Sequence, residues 1–346
     1  MSANLVPPAA ASTSADPVII QMASGHIVSN ALYVVCELRI PDHLAAGPRT
    51  AGDLAAATGT DPQALGRVLR LLTGLGLFAD AGEGRFTTTP LGASLRSDDP
   101  GCASAMVRML AGPTMNRAIG ELLHSVRTGG TGFEHAIGQA AFPYFAEHPD
   151  EAATFNDAMI GFHGAEPAAV TSAYDFSGIG TLVDVGGGTG NLLMTVLEAN
   201  PAMRGIVYDQ RYVAAQARVA MDTRGLASRC EFVEGNFFES IPPGGDAYLM
   251  SHIIHDWTEA QALTILANCR RAMSGKGRLL LVEMVVPTDA DMHPSKLLDL
   301  VMLTVAGGRE RTAEEYRELY ALAGFELTRV VPTGSAVSIV EGSPVS

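Results

Sequence analysis

A glycine-rich segment in the second half of the chain carries the clearest chemical signal. Residues 182–191 read LVDVGGGTGN, an apolar run that ends in closely spaced glycines. Such a run predicts a buried parallel strand that enters a tight turn and then a helix. Glycines let the backbone approach a ligand closely, and the free amides at a helix start favour an anionic group. The segment therefore predicts a site for a nucleotide-like ligand.

The spacing of the glycines separates two kinds of nucleotide-like ligand. A dinucleotide-binding turn has the pattern G-x-G-x-x-G, which needs a glycine where this chain has Asn191 or Leu193. The next predicted strand, residues 205–209, ends in Asp209, whose carboxylate can bind both hydroxyls of a ribose. NAD enzymes use an acid in the same way, so Asp209 indicates a ribose without identifying the ligand. The glycine register, however, disfavours a dehydrogenase.

The pattern that does fit is D-x-G-x-G-x-G, formed by Asp184, Gly186, Gly188 and Gly190. It resembles motif I of the class I S-adenosylmethionine-dependent methyltransferases. Three later segments resemble one family of that class, the small-molecule O-methyltransferases of plants and bacteria: HIIHDW at 252–257, VEMVVP at 282–287 and GGRERTAEEY at 307–316. The resemblance implies methyl transfer from S-adenosylmethionine to a hydroxyl of an aromatic specialised metabolite, with S-adenosylhomocysteine as product.

The resemblance also implies roles for individual side chains. His255 would act as the general base, with Glu283 and Glu310 as the acids that bracket it. The cofactor would be bound by residues of the glycine turn and of the strand ends, namely Asp184, Gly186, Gly188, Asp209, Asn236, Phe237 and Ser251. Family members often have Asp where Asn236 stands and Lys where Ser251 stands. Asn236 keeps an acceptor oxygen, whereas Ser251 brings no cation near the sulfur.

The chemistry of methyl transfer asks for these residue types independently. A phenol has a pKa near 10 and a histidine one near 6.5, so complete proton transfer to a free imidazole costs about 4.8 kcal/mol. A carboxylate on the other ring nitrogen stabilises the imidazolium, and a nearby sulfonium favours the phenolate, so both reduce that cost. His252 is interpreted as a structural histidine, because H-x-x-H without a third ligand is weak evidence for a metal. No metal is expected.

The elements that position these residues alternate between strand and helix. Predicted strands lie at 182–186, 205–209, 230–234, 246–251, 278–285, 325–331 and 336–341, with helices from about 190 and at 212–223, 258–273 and 312–323. This alternation predicts an α/β fold, a Rossmann-like and mostly parallel sheet with helices on both faces. Ligands of such sheets bind at the carboxyl ends of the strands, where the candidate residues stand.

The first hundred residues predict a second, mostly helical domain. Two capped helices at 50–58 and 62–74 precede two short strands within 78–89, which is the pattern of a winged helix. The net charge of −14 and the presence of only two cations on the second helix, Arg67 and Arg70, disfavour DNA binding. A single apolar helix over 18–38 predicts either the interface of a homodimer or a core helix.

We therefore expect four segments. They are a disordered tail over 1–17, a winged-helix dimerisation domain over 18–100, a helical linker over 101–174 and the catalytic domain over 175–346. The linker, with a first helix expected at 103–126, concentrates aromatic and methionine side chains. An acceptor pocket is expected to include Phe142, Met159 and Phe162 from the linker and Met302 from the catalytic domain.

Composition narrows the cellular context, and two alternative functions stay open. No apolar run approaches the ~20 residues of a membrane span. The cysteines show no C-x-x-C spacing, which favours a reducing cytoplasm: Cys36, Cys102, Cys230 and Cys269. One alternative is an S-adenosylmethionine-binding hydroxylase or decarboxylase of the same fold, which the retention of His255 disfavours. The other is a winged-helix regulator that senses a small molecule, which the acidic charge disfavours.

Overall fold

The computed structural model describes residues 16–99, 101 and 103–345. These residues form two compact units, one that runs up to Gly112 and includes Ala153–Gly161, and one that comprises Pro113–Ala152 and the chain from Phe162 onward. The predicted tail over 1–17 lies outside the described residues except for its last two, and so does Cys102.

The first unit is mostly helical. Its helices are α1 (Pro17–Ala23), α2 (Gly25–Glu37), α3 (Ile40–His43), α4 (Ala51–Thr58), α5 (Pro62–Gly74), α6 (Pro90–Ala93) and α7 (Ala103–Ala111). Its strands, β1 (Arg49–Thr50), β2 (Phe78–Asp80) and β3 (Arg85–Thr88), form an antiparallel sheet in the order β1-β3-β2. The predicted caps are confirmed, because Thr50 begins α4 in a reciprocal capping box and the Asp61 side chain caps α5.

Two predicted long helices are wrong, and a local break explains each difference. The segment 18–38 divides into α1 and α2, which are bent by 43° at Ser24. The Ser24 hydroxyl donates to the carbonyl of Ile20 at 2.8 Å, a local bond that competes with the helix ladder. The segment 103–126 divides as well, because Pro113 has no N–H with which to continue α7.

Helices α1 and α2 differ in what they bury. The apolar side chains of α1 and the start of α2 are exposed: Val18, Ile19, Ile20, Met22 and Ile27. Farther along α2, Val35 and Cys36 are buried in the core of the unit. The beginning of the segment thus agrees with an interface and its end with a core helix. Within the described residues, no single helix is long and apolar enough to cross a membrane; only the bent pair α1 and α2 meets those criteria together.

The second unit begins with six helices. They are α8 (Pro113–Gly120), α9 (Leu122–Thr128), α10 (Gly132–Ile137), α11 (Ala141–Glu147), α12 (Pro149–His163), whose middle belongs to the first unit, and α13 (Glu166–Ala173). The alternating part follows as β4 (Thr181–Val185), α14 (Asn191–Ala199), β5 (Arg204–Asp209), α15 (Ala214–Thr223), β6 (Cys230–Glu234), β7 (Ala247–Ser251), α16 (Glu259–Ala272), β8 (Arg278–Glu283), α17 (Pro294–Val301), α18 (Ala313–Leu322), β9 (Phe325–Pro332) and β10 (Ser338–Pro344). A π-helical turn, Met302–Ala306, continues α17.

The predicted mostly parallel sheet is confirmed. Its seven strands lie in the order β6-β5-β4-β7-β8-β10-β9, and β10 runs antiparallel to both of its neighbours, β8 and β9, whereas the other pairs are parallel. The chain moves outward through β5 and β6 on one side of β4 and then returns to β7 on the other side. Such a switch point leaves a crevice at the carboxyl ends of β4 and β7, where α/β proteins bind their ligands.

Candidate active site

The glycine-rich turn follows β4 at the switch point of the sheet. Gly186, Gly188 and Gly190 have φ values of +73°, +58° and +80°, which favour glycine. The N–H of Gly188 donates to Asp209 Oδ2 at 2.8 Å, and the N–H of Gln210 donates to Asp209 Oδ1 at 2.6 Å. Burial raises the pKa of Asp209, and these two donors oppose the shift. Asp209 therefore joins the turn after β4 to the end of β5.

Asp184 lies beneath this turn and is almost fully buried. A Cβ atom on Gly187 would lie 2.5 Å from Asp184 Oδ2, so only glycine fits directly above the carboxyl group. Burial raises the pKa of Asp184 to about 7, and the charge of Asp209 adds to the shift. The carboxyl group supports the turn from below, and the cofactor contact of Asp184 stays a prediction.

The ends of β6 and β7 carry the other predicted cofactor residues. Asn236 Oδ1 accepts the backbone N–H two residues later at 3.0 Å, and the carbonyl of Phe237 accepts the side-chain amide of Asn268 at 2.7 Å. The ring of Phe237 meets that of Trp257 edge to face, with centroids 5.9 Å apart. Ser251 is half-buried at the last position of β7. These contacts fix Asn236 and Phe237 beside the glycine turn.

The chemistry of these groups fits S-adenosylmethionine. A Cβ atom on Gly188 would meet no atom within 4 Å, so the outer side of the turn is open for a ligand. Asp209 offers carboxylate oxygens of the kind that ribose hydroxyls need, and the ring of Phe237 suits a flat base. Asp209, Phe237 and the turn would therefore hold the adenosine part of the cofactor.

His255 lies in a single 3-10 turn, Ile254–Asp256, shortly after β7. Its Nδ1 donates to Glu310 Oε1 at 2.7 Å and lies 3.5 Å from Glu283 Oε2. Glu283 is the last residue of β8, and its Oε1 accepts the N–H of Ile254 at 2.9 Å. The structure thus brings together the three residues of the predicted catalytic set. Of the two glutamates, Glu310 makes the short hydrogen bond to His255.

A glycine allows the segment that carries Glu310 to reach His255. A Cβ atom on Gly308 would lie 1.8 Å from the carbonyl oxygen of His255, which leaves no room for any other residue. The N–H of Arg309 donates to that same carbonyl at 2.9 Å, and the carbonyl of Arg311 accepts the N–H of Val286 at 2.9 Å. The segment is therefore held on one side by the 3-10 turn and on the other by the chain that follows β8.

Acidic groups dominate the electrostatics of His255. Burial alone would lower the pKa of His255, but the carboxylates of Glu283, Asp256 and Glu310 outweigh burial and raise it to about 10. Burial also raises the pKa of Glu283, and the charge of His255 opposes that shift. One oxygen of Glu283 and one of Glu310, both Oε2, are buried without a hydrogen-bond partner among the described residues. The cluster therefore stabilises a proton on His255, and the other ring nitrogen, Nε2, lies 3.5 Å from Asp256 Oδ1.

A second histidine, His252, stands beside His255, with ring centroids 5.2 Å apart. His252 Nε2 lies 2.9 Å from Glu166 Oε2, and His163 Nδ1 lies 3.0 Å from the same oxygen. Burial would raise the pKa of Glu166, but the two histidines lower it to about 2. Burial lowers the pKa of His252 to about 4, although Glu166 opposes that shift. A charged carboxylate only accepts, so neutral His252 carries its proton on Nε2.

The third metal ligand that the H-x-x-H segment lacks is present in the fold, so the spacing of the two histidines does not by itself exclude a metal at His252. Two sets of side chains have ligand atoms within 4.8 Å of one another: His163, Glu166 and His252, and His252, His255 and Glu283. In the first set the two contacts to Glu166 have ordinary hydrogen-bond lengths. The interpretation of His252 as a hydrogen-bonded histidine therefore holds at Nε2. The expected absence of a metal stays a prediction.

The predicted acceptor-pocket residues lie in different places. Phe162 is close to His252, with ring centroids 6.4 Å apart. Phe142 stacks on the tryptophan of the H-D-W segment at 5.9 Å, and Met302 is buried in the π-helical turn. Met159 belongs to the first unit. Phe162 is thus the predicted pocket residue that the rings connect most directly with the two histidines.

Glu166 and His163 are the candidate site residues that the sequence analysis missed. Glu166 is buried at the start of α13 and lies 86 residues before His252 in the chain. A glutamate in the first turn of a helix ordinarily stabilises the positive end of the helix dipole, so the residue carries no distinctive signal. Its role becomes visible only when the fold brings α13 against the end of β7.

The chain resembles known proteins over most of its length. Residues 119–326 match the model of an O-methyltransferase domain, and residues 20–98 match that of an O-methyltransferase dimerisation domain. The chain is 42% identical to a phenazine O-methyltransferase of Lysobacter antibioticus, over 95% of this chain and 96% of that protein.

Two solved structures extend the comparison. That of a mitomycin 7-O-methyltransferase superposes with a TM-score of 0.89 at 39% identity, over 95% of this chain and 97% of the other. That of an O-methyltransferase from neocarzinostatin biosynthesis, solved with S-adenosylmethionine and 2-hydroxy-5-methyl naphthoic acid, gives 0.84 at 33% identity, over 96% and 100%. The fold and the dimerisation segment are therefore shared with O-methyltransferases.

Proposed function

Since this chain belongs to the S-adenosylmethionine-dependent O-methyltransferase family, we propose that it methylates a hydroxyl of an aromatic small molecule with His255 as general base. The observation that carries the proposal is the 2.7 Å bond between His255 Nδ1 and Glu310. The other nitrogen, Nε2, has only a longer contact of 3.5 Å to Asp256 Oδ1, so it is the nitrogen that can take the proton of the acceptor. Relatives that act on phenazine, mitomycin and naphthoic acid compounds support an aromatic acceptor from specialised metabolism.

The residues of this chain assist the removal of the hydroxyl proton and the alignment of the two reactants. S-adenosylmethionine supplies an electrophilic methyl group on a positively charged sulfur. The acceptor oxygen forms the new O–CH₃ bond as the S–CH₃ bond breaks, and the hydroxyl proton passes to His255 Nε2. Glu310 and Glu283 stabilise the imidazolium that results. Holding the two reactants close and aligned contributes much of the remaining rate enhancement.

The charge of His255 before the reaction determines whether it can accept the proton of the acceptor. His255 must be neutral before it can accept a proton, yet its acidic neighbours raise its pKa. A cation bound next to the imidazole opposes the carboxylates and favours the neutral ring. We therefore infer that a bound cofactor, which carries a positive sulfur, prepares His255 as a base. Acceptor binding and proton removal would then depend on the presence of the cofactor.

The first unit supports a homodimer. The dimerisation segment matches residues 20–98, and the exposed apolar side chains of α1 and the start of α2 form a face suited to a second copy. Met22→Glu should therefore shift the protein from dimer to monomer in sedimentation velocity. A dimer that persists in this variant would move the interface elsewhere. The described cysteines, Cys36, Cys230 and Cys269, are free and buried, which suits the cytoplasm.

Two measurements test the proposed function. Purified protein should convert phenolic acceptors to methyl ethers in the presence of S-adenosylmethionine, as detected by mass spectrometry. It should bind S-adenosylhomocysteine and not NAD in calorimetry. Asp209→Ala should weaken S-adenosylhomocysteine binding by about 1.5–3 kcal/mol, the range for hydrogen bonds to a charged group. Tight NAD binding would refute the proposal, and an unchanged affinity in Asp209→Ala would refute the assignment of the ribose site.

A further inference from the structure

His252 has a buried nitrogen that the hydrogen bonds of the fold leave unpaired. Its side chain is only 9% exposed, and Nδ1 has no hydrogen-bond partner among the described residues. The other nitrogen, Nε2, donates to Glu166, so Nδ1 carries the lone pair of a neutral imidazole. A buried acceptor without a donor is costly, and native structures rarely keep one without a reason.

The backbone at this position is also unusual. His252 has φ of +52°, and within the described residues only Arg39 and Glu83 are other non-glycine residues with positive φ. Such conformations are strained and concentrate at functional sites. The strained backbone and the bond to Glu166 both fix the ring. Two constraints on one side chain indicate that its orientation matters.

The groups around His252 indicate what its unpaired Nδ1 can bind. The rings of Phe162 and His255 are its neighbours, with centroids 6.4 and 5.2 Å from that of His252, and a ring nitrogen of His252 is within 4.8 Å of one of His255. Two histidines this close together suit two neighbouring polar substituents of one aromatic ring, each bound through a hydrogen bond of about 2.8 Å. The hydroxyl beside His255 is the one that reacts.

We propose that His252 Nδ1 accepts a hydrogen bond from a hydroxyl or amino group that flanks the methylated hydroxyl of the acceptor. The inference rests on the proposed function and specifies its substrate class as aromatic acceptors with two adjacent polar groups, the second of which donates a hydrogen bond. Glu166 acts as a positioning residue, because its carboxylate holds the proton of His252 on Nε2. His163 donates to the same oxygen and keeps the carboxylate in place.

A comparison of small acceptors tests this specificity. Catechol and ortho-aminophenol carry the flanking donor, whereas guaiacol, the monomethyl ether of catechol, and phenol do not. The wild-type enzyme should favour catechol over guaiacol by roughly 10- to 100-fold in kcat/KM, the scale of a buried polar atom that is left unpaired. The ratio of the two acceptors is the readout, because a general loss of structure lowers both rates and leaves the ratio unchanged.

Two substitutions of His252 form a matched pair. His252→Gln keeps an amide near the Nε2 position but removes the acceptor at Nδ1, so the preference for catechol should fall to within about 3-fold. His252→Asn places its amide near the Nδ1 position and tolerates positive φ, so it should retain part of the preference. Glu166→Ala removes the carboxylate that holds the proton of His252 on Nε2, so it should also reduce the preference for catechol over guaiacol. Guaiacol turnover should be less affected than catechol turnover.

Several results would overturn the inference and leave the proposed function intact. Equal use of catechol and guaiacol by the wild-type enzyme would do so, as would an unchanged ratio in His252→Gln. An enzyme that methylates other phenols but none with a flanking donor would also contradict it. By contrast, a protein that binds no S-adenosylhomocysteine and methylates no acceptor would refute the proposed function itself.

Discussion

His252 and His255 belong to the same short segment after β7, yet their pKa values move in opposite directions. Both rings have little exposure, and each donates a hydrogen bond to a glutamate through one nitrogen. His255 faces Glu283, Glu310 and Asp256, so the summed negative charge outweighs the cost of burial. His252 shares the single carboxylate of Glu166 with His163, and there burial prevails. The number of unshared acids therefore decides which histidine can carry a proton.

The opposite pKa shifts indicate different roles for the two rings. A base must hold the proton that it removes, and the acids around His255 stabilise that proton. A neutral ring with a fixed tautomer can instead distinguish donors from acceptors on a substrate, and Glu166 fixes that tautomer in His252. Substitutions that alter the surroundings of one ring should therefore affect the reaction differently from substitutions that alter those of the other.

The largest effect is expected from removing the base. His255→Ala should lower turnover by about 10²–10⁴-fold, the usual contribution of a general base, while the affinity for S-adenosylhomocysteine stays nearly unchanged. His252→Asn should lower turnover less, and only for acceptors with a flanking donor. Steady-state kinetics and calorimetry measure both quantities. Undiminished turnover in His255→Ala would mean that the proton leaves by another route.

A smaller loss of turnover is expected when either glutamate beside His255 is substituted, and the two losses should differ in size. Glu310→Gln should lower kcat by about 10- to 100-fold, because it weakens the short hydrogen bond to His255 Nδ1 and removes its charge. Glu283→Gln should cost less, since that carboxylate lies 3.5 Å from the ring. Glu341→Gln, which alters a carboxylate paired with Arg329, is the matched control and should leave kcat unchanged. A larger loss in Glu283→Gln than in Glu310→Gln would reverse the assignment.

The pH dependence of turnover should follow the pKa of His255. The ring accepts a proton only when it is neutral, and its raised pKa means that the neutral fraction grows as pH rises. With cofactor saturating, kcat for an ordinary phenol should therefore increase as pH rises through the pKa that His255 has in the cofactor complex. Glu310→Gln removes one stabilising charge, so the rising limb should move by about 1 unit toward lower pH. Identical limbs in the two enzymes would contradict the role of Glu310.

The smallest effect concerns stability, where the two histidines should act on opposite sides of neutrality. The folded pKa of His255 is raised, so its contribution is complete below the ordinary value of 6.5 and is lost as pH rises toward about 10. The folded pKa of His252 is lowered to about 4, so stability falls as pH drops from 6.5 toward 4 and the unfolded chain takes up a proton.

Urea unfolding across this pH range measures both contributions. His255→Ala should flatten the alkaline decline and His252→Asn the acidic one, each by an amount on the order of 1 kcal/mol. If the two variants change the same limb, the opposite environments of the two rings are not present in solution.

Local signals in the sequence predicted much of the fold. The glycine register and the acid at Asp209 indicated the tight turn after β4 and its predicted role in cofactor binding, because both depend on residues within one local unit of the chain. The alternation of apolar runs predicted the parallel sheet for the same reason. The break at Ser24 escaped prediction, since apolar spacing continues across it while a side-chain bond interrupts the helix. The helix α17 and the π-helical turn after it were also missed.

The candidate site could be predicted only in part. The H-D-W, V-E-M-V-V-P and G-G-R-E-R-T segments indicated His255, Glu283 and Glu310, which the fold brings together. Which acid makes the short bond depends on how closely Gly308 lets its segment approach, and that is a property of packing. Glu166 is remote in the chain from His252, so no local pattern could link them.

The acidity of the acceptor provides the most direct test of His255 as a base. Wild-type enzyme and His255→Ala would be compared on a phenol and on its nitro-substituted analogue, whose hydroxyl ionises near neutral pH without help. If His255 removes the proton, the loss caused by the substitution should be at least about 10-fold smaller for the acidic acceptor, since that acceptor needs little assistance. Equal losses for both acceptors would contradict this account and assign His255 a role in positioning.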